Sequence, residues 1–309
     1  MSFTPQRSFI DKAEDLRCLP AGEPAIMSIV GPTGSGKTRT ALQLADELGR
    51  DRTLLVSVDS VALYRELDVG SAKPLGDERE GYEWTGLDWL ELSDVATSSK
   101  FVERVLPIIE AALHNKKHVI LVGGSHFYER SLAIGRMPGE ASDPIYQSML
   151  SDQSNETLHA RLLGFDKRFG EKILLPDRYR ITRYLDLVER QGLGYEDLLS
   201  PHDRRPWRTV YTFATHANED LALRTAQLKL RVESMFKRGW VEEISALLER
   251  GADPLSPGLQ TIGYRDVSLY VRGVLSFEET FERVLISHRQ LAKVQRTWVR
   301  GLLKKGSLD

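Results

Sequence analysis

"AIMSIVGPTGSGKTRTALQLADEL", Ala25 to Leu48, is the stretch whose reading decides the fold. The apolar run Ala25–Val30, closed by Gly31-Pro32, predicts a buried strand and its stop. Apolar residues then recur at helical spacing: Ala41, Leu42, Leu44, Ala45 and Leu48. Between strand and helix, Gly31–Thr38 fits the spacing Gly-x-x-x-x-Gly-Lys-Ser/Thr. In that context the spacing describes a loop that cradles phosphate. The backbone N–H groups of Gly34, Ser35, Gly36 and Lys37 are expected to converge on an anion at the helix N-terminus, with Gly31 and Thr33 framing it. Lys37 adds a charge at the terminal phosphate, and the Thr38 hydroxyl is the candidate Mg²⁺ ligand. The loop specifies a polyphosphate without saying which one.

Two more buried strands follow, "TLLVSVDS" (Thr53–Ser60) and "HVILVGG" (His118–Gly124), with a helical stretch over Ser99–His114. Strands alternating with helices predict an α/β fold: a P-loop NTPase-like parallel sheet core covered on both faces. "RMPGEASDP" (Arg136–Pro144) breaks that pattern. The expected organisation is an N-terminal arm over 1–24, a core formed by 25–137 and 201–309, and a helical insertion domain over 138–200. One further strand is expected within Thr209–Ala214, and the rest of the last hundred residues read as helices.

Composition narrows the function classes. Among 309 residues, 41% hydrophobic and 28% charged is ordinary for a globular chain. A formal net charge of −2 excludes wholesale attraction to nucleic acid, so an RNA site must be a local basic patch. Cys18 is the sole cysteine, which excludes an internal disulfide and a cysteine zinc site and fits a reducing compartment. No run of about 18 apolar residues exists, so no membrane span is expected. The polar, mixed-charge start is unlike a secretory signal. These features predict a cytoplasmic protein.

A phosphate loop that works on nucleotides is usually joined by an Asp at the end of an apolar strand. The strand at His118 ends instead in Gly123-Gly124, which leaves Asp59 as the candidate. In open α/β sheets ligands gather outside the carboxyl ends of strands, so Asp59 is expected in the same crevice as the loop. A turn or helix-capping role suits Asp59-Ser60 equally well. At this point an ATP-dependent small-molecule kinase, another use of a diphosphate and a non-catalytic RNA-binding module with a relic loop all remain open.

"SVDSVALYRELDVGSAKP" (Ser57–Pro74) resembles the bacterial tRNA dimethylallyltransferases, and the resemblance recurs along residues 25 to 301. "LVGGSHFY" (Leu121–Tyr128) is similar to the family's Gly-Gly-Thr-x-x-Tyr segment, with Ser125 in place of threonine. "PDRYRITRYLDL" (Pro176–Leu187), "LQTIGYRD" (Leu259–Asp266) and "RQLAKVQRTWVRG" (Arg289–Gly301) resemble its later motifs. What this implies is a donor, dimethylallyl diphosphate, and an acceptor, the N6 amine of adenine 37 in tRNAs reading codons that begin with U. The phosphate loop would then hold a leaving group, with Mg²⁺ at Thr38. By resemblance Asp59 is the base, and Thr33 and Ser125 touch substrate near the reacting centre. The implied tRNA contacts are Asp59, Ser60, Tyr64, Lys73, Ser125, Tyr179, Arg180, Arg183, Gly263, Tyr264, Arg265, Arg289, Gln290, Lys293 and Arg296. The insertion and the C-terminal helices would hold the anticodon stem-loop from two sides, in an enzyme expected to be monomeric. An adenylate prenyltransferase is the nearest rival, though a long insertion suits a macromolecular acceptor better. The chain also departs from the family ahead of one helical motif. Before the pattern Arg231, Met235, Gly239, the position expected to grip the diphosphate with an arginine holds Gln227. Arg224, one turn earlier, is the candidate replacement.

The last helix permits a test from periodicity alone. Arg289, Lys293, Arg296 and Arg300 fall within a stripe of roughly 60° at 100° per residue. Leu291, Val294, Trp298 and Leu302 are expected opposite, as the packed face. Residues 287–305 hold six Lys or Arg and no acid, which favours contact with a phosphate backbone over a merely solvated face. "RRPWR" (Arg204–Arg208) suits either stacking on RNA or a structural turn around Trp207.

Overall fold

The computed structural model describes residues 8–10, 24–134, 139–140, 142–199, 211–214 and 221–305. Cys18 and Arg204–Arg208 lie outside them. The strands are β1 (Ser8–Ile10), β2 (Ile26–Val30), β3 (Thr53–Ser57), β4 (Glu83–Thr85), β5 (His118–Val122) and β6 (Tyr211–Ala214). They form one sheet in the order β1-β6-β2-β5-β3-β4, parallel at every pairing. A parallel sheet needs crossover helices, and these cover both faces. The chain has a P-loop NTPase-like α/β fold with a helical insertion.

β2, β3 and β5 read as continuous apolar runs because both of their faces are covered. Helix α1 (Lys37–Leu48) lays Ala41, Leu44 and Ala45 on Met27, Ile29, Leu55 and Ile120. Helix α2 (Ser98–His114) lays Phe101, Val102, Val105 and Ile109 on the alternate residues Ile26, Leu54, Val56 and Val119. Successive strand side chains point to opposite faces, so one run of sequence feeds two cores.

Helix α3 (His126–Ile134) follows β5. The chain divides into two compact units, Met1–Ala133 with Pro206–Asp309, and Ile134–Arg205. The second unit contains α4 (Pro144–Leu150), α5 (Asn155–Phe165), α6 (Phe169–Lys172), α7 (Arg178–Leu185) and α8 (Tyr195–Leu199) around its own core of Leu158, Leu162, Phe169, Ile181 and Leu185. Arg178 ties it together by donating to the carbonyls of Leu150, Ser151 and Gln153 at 2.7–2.8 Å. α7 passes into a π-helical turn at Asp186–Arg190.

The first unit closes with α9 (Leu221–Lys237), α10 (Trp240–Glu249), α11 (Tyr264–Val271) and α12 (Phe277–Lys305). Trp240, Tyr264, Val232, Val267 and Val284 centre their core, joined by Tyr64 and Leu67 from the loop after β3.

Two expectations need correction. The arm ahead of the sheet contains a strand of it, since β1 pairs with β6 at Ser8↔Tyr211. The packed face of α12 is turned from the expected Leu291, Val294, Trp298 and Leu302: Leu302 is buried and Trp298 is partly packed, stacked on His126 at 3.9 Å, but Val294 is not on it. Buried are His288, Ala292, Gln295, Val299 and Leu302, while Val294 is 65% exposed. Gln295, a polar residue in this buried line, is held there by hydrogen bonds.

Candidate active site

The phosphate loop sits where β2 ends. Gly36 caps α1 with φ of 81°, a conformation that favours glycine. It lets the chain turn so that helix N–H groups face the loop's hollow. Lys37 Nζ donates to the carbonyls of Gly31 (3.1 Å) and Pro32 (2.9 Å), so the loop holds its own lysine in place. Ser35 is buried and Thr38 half-buried.

Asp59 lies past the end of β3. Its Oδ1 accepts the Val61 N–H at 2.9 Å, and Ser125 Oγ accepts the Ser60 N–H at 3.0 Å. Ser125 N–H in turn donates to Val58 O at 3.0 Å. These bonds weld Asp59, Ser60 and Ser125 into one patch at the carboxyl ends of neighbouring strands. Gly124 shows how closely the patch is packed. A side chain there would meet Gln295 Nε2 at 2.4 Å, with Asp59 Oδ2 at 4.0 Å.

The charges of this cleft are linked. Lys37 is pushed down to about 8: burial lowers it most, Arg231 adds to the lowering, and Asp59 and Glu129 raise it in part. Burial raises the Asp59 carboxyl, against the N–H groups of Val61 and Ala62 and the charges of Lys37 and Arg231, which favour ionisation. Both residues are half-buried as wholes, yet their charged ends are deeply enclosed. A carboxylate held ionisable among cations is what a base working on a weak amine needs.

α9 supplies more of the wall. Arg224, Gln227 and Leu228 line a hollow with Pro32, Thr33, Gly34 and Ser35, of about 290 Å³ including its opening to solvent. Arg224 is 6% exposed. The sequence weighs Gln227 and Arg224 for the second phosphate cation and overlooks a third residue. Arg231 Cδ lies 3.7 Å from where a Gly34 side chain would begin, and its Nε has no hydrogen-bond partner among the described residues. Burial weighs against the Arg231 charge, and Asp59 favours it. The signal was present in the sequence: Arg224 and Arg231 are seven residues apart and share a helix face.

Gln295 is the second residue that pattern misses. Thr33 N–H donates to its Oε1 at 2.7 Å, and its Nε2 donates to Gly124 O at 3.1 Å. Glu129, on α3, is buried and accepts from the Ser28 hydroxyl behind the loop.

The residues expected on tRNA divide into two groups. Exposed are Arg265, Arg289, Gln290 and Lys293, with Arg296 half-buried; in the insertion unit Tyr179 is 78% exposed and Arg180 is open to solvent. The others are corrected by burial. Lys73 is enclosed, its Nζ bonded to Tyr64 O (3.0 Å), Asp88 (2.5 Å) and Asp68 (2.5 Å). Tyr64 is buried, and its hydroxyl donates to Asp94 O at 2.8 Å. Tyr264 is fully buried; its hydroxyl donates to Glu243 at 2.8 Å and accepts the Ser71 N–H at 3.1 Å. Gly263 packs against the Trp240 ring. Arg183 is spent on Asp186 (2.9 Å) and Glu140 O (2.6 Å). Lys73, Tyr64 and Tyr264 are each claimed by a partner distant in sequence.

No group of three His, Cys, Asp or Glu suited to a metal occurs among the described residues, and no described helix is long and apolar enough to cross a membrane. The site therefore joins a P-loop, two buried cations and a carboxylate in one charge-coupled cleft.

The chain belongs to the IPP transferase family, whose model matches residues 62–302. It is 32% identical over 282 residues to the tRNA dimethylallyltransferase of Syntrophobacter fumaroxidans, covering 89% of this chain and 80% of that one. It is 32% identical over 277 residues to that of Corynebacterium diphtheriae, covering 88% and 89%. Among solved structures it is similar to the tRNA delta(2)-isopentenylpyrophosphate transferase of Staphylococcus epidermidis, with 25% identity, TM-score 0.61, and coverage of 89% and 90%. It shares its fold with a eukaryotic dimethylallyltransferase crystallised acting on tRNA, with TM-score 0.73, 22% identity, and coverage of 90% and 70%.

Proposed function

We propose that this chain transfers a dimethylallyl group from dimethylallyl diphosphate to the N6 amine of adenine 37 in tRNAs reading codons that begin with U. The observation that carries the reading is one cleft in which the cations Lys37 and Arg231 and the Asp59 carboxylate are close enough to act on one another's charge. The relatives' names supply the acceptor class.

The reaction breaks the bond between the allylic carbon and the diphosphate oxygen and forms a bond from that carbon to N6. The electron pair of the broken bond leaves with the diphosphate, and the N6 proton passes to Asp59. Charge grows on the leaving oxygens as the bond lengthens. N–H groups of Gly34 to Lys37, the Lys37 ammonium and the Arg231 guanidinium stabilise it there without reorganising. Arg224 and Gln227 border the same hollow and extend the diphosphate site. The N6 lone pair is delocalised into the adenine ring, so the amine is weak until its proton has an acceptor. Asp59, fixed through Val61 N–H, is that acceptor. Thr33 and Ser125 are assigned to substrate contact near the reacting centre.

The Thr38 hydroxyl is a hard oxygen donor of the kind that holds Mg²⁺ together with substrate phosphates. When bound, the ion would neutralise diphosphate charge. The acceptor base must leave its stack to reach the cleft. The exposed Arg289, Gln290, Lys293, Arg296 and Arg265, with Tyr179 and Arg180 of the insertion unit, are the residues we assign to the RNA. Such an acceptor places the enzyme in the cytoplasm.

The test is transfer of label from dimethylallyl diphosphate to an anticodon stem-loop carrying adenine at 36 and 37, with Asp59→Asn in parallel. Labelled RNA from the wild type alone supports the reading. ATP consumption without labelled RNA replaces it with the kinase, and labelled free adenylate with the adenylate prenyltransferase.

A further inference from the structure

Gln295 is 4% exposed in a line of buried side chains, Ala292, Val299 and Leu302, that is otherwise apolar. An apolar side chain would fill that place. A buried amide persists only where it is bonded, and both of its described partners are backbone groups of the cleft. One is the Thr33 N–H, in the phosphate loop. The other is the carbonyl of Gly124, immediately before Ser125 and beside Asp59 Oδ2.

The two partners leave neighbouring strands. β2 and β5 are in register as far as Ile29↔Val122. Beyond that pair the ladder ends and the two loops go separate ways, one to the diphosphate and one to the acceptor. Gln295 spans them where the sheet no longer does.

We propose that Gln295 is a positioning residue, whose single side-chain amide sets the separation between the leaving-group half of the cleft and its acceptor half. The inference rests on the prenyl-transfer reading above. Displacement at the allylic carbon needs N6 and the leaving oxygen on opposite sides of one atom, at near-contact distance. Misplacement by about 1 Å costs on the order of 100-fold in rate. The amide is planar and donates and accepts at once, so it resists both closing and opening of the gap. α12 carries it together with the exposed Arg289, Lys293 and Arg300, which makes one rigid helix responsible for RNA contact outside and for alignment inside.

The test compares Gln295→Met, which keeps the shape without the amide, Gln295→Glu, which keeps an oxygen for Thr33 N–H only, and Val294→Ala as an exposed neighbour. Labelled dimethylallyl diphosphate and the stem-loop are followed for kcat, for both KM values and for label released as the alcohol by water. Expected for Gln295→Met is a fall in kcat of about 30- to 100-fold, KM values within about twofold, and a larger share of label lost to water. Gln295→Glu should fall between it and wild type, and Val294→Ala should match wild type. A structural role alone would lower the active fraction and leave the partition to water unmoved. Wild-type kcat in Gln295→Met, or in Gln295→Glu should the Met variant not fold, overturns the inference while the reaction stands. A wild type that prenylates nothing removes the reading and this inference with it.

Discussion

Lys37 and Asp59 partly restore each other's charge: burial works against both, and each is among the groups that hold the other ionised. The consequence is a pH window. Asp59 must be unprotonated to take the N6 proton, and burial lifts its carboxyl above the ordinary aspartate range. Lys37 must be protonated to hold diphosphate, and it titrates at about 8 in the free enzyme. The pH profile of kcat/KM, which reports the free enzyme, should therefore fall on its acid side and again near pH 8. In kcat the alkaline limb should move to higher pH, because bound diphosphate favours the ammonium. Asp59→Asn should lower transfer by about 10²–10⁴-fold, abolish the acid limb and shift the alkaline limb downward. A profile flat from pH 7 to pH 9.5 would contradict this coupling.

Arg231 acts on the same lysine with the opposite sign. Arg231→Met should raise KM for dimethylallyl diphosphate by about 10- to 100-fold, the worth of a charged hydrogen bond of roughly 1.5–3 kcal/mol. It should also move the alkaline limb upward, since Arg231 is one of the groups that lower Lys37. Gln227→Ala, at an exposed position with no charge to lose, should change KM by less than about threefold. Equal effects from the two variants would mean that the diphosphate rests on the α9 surface at large and not on Arg231.

The exposed cations of α12 should report on RNA through salt. Arg289→Gln, Lys293→Gln and Arg300→Gln should each reduce the slope of log K against log salt by about 0.7–0.9 if each meets one phosphate. The triple variant should lose about two to three units of slope while KM for the diphosphate stays put. Filter binding or fluorescence anisotropy over 50 to 300 mM KCl measures it, and an unchanged slope would move the RNA to another face.

The fold was legible because its evidence is local. A five-residue apolar run, a glycine loop and a helical period are all contained within Ala25–Leu48. The edge strands β1 and β4 were not legible, since three residues leave no period to read. The loop chemistry of Gly31–Thr38 and the place of Asp59 were legible for the same local reason. Arg231 was visible only as a companion of Arg224 two turns away. Gln295 was left unassigned because nothing in the local pattern marks it as buried, and its partner Thr33 lies 262 positions earlier. Lys73 and Tyr264 were misread likewise, their partners Asp88 and Glu243 being set by tertiary packing and not by spacing.

Lys73 offers the sharpest contrast between a polar residue that serves the fold and one that serves the RNA. Its side chain is 1% exposed and shares its charge between Asp68 and Asp88. Removing one partner of such a group strands the others, at about 3–5 kcal/mol. Here Arg79 remains on Asp88 at 2.7 Å, so Lys73→Met should sit near the lower figure, about 3 kcal/mol, measured by urea unfolding. Burial pushes the Asp88 carboxyl up, but Lys73 and Arg79 together hold it below the usual aspartate value. A carboxylate held low contributes stability that is present above its unfolded pKa and lost as pH falls through the lower folded value. In the variant the folded value rises toward the unfolded one, so the loss should be complete at higher pH and the whole contribution should be smaller. The folded fraction should bind the stem-loop with wild-type affinity and wild-type salt slope, because an ammonium shared by two carboxylates has no charge left for a phosphate. A salt slope lowered by about one, with stability unchanged, would place Lys73 on the RNA after all.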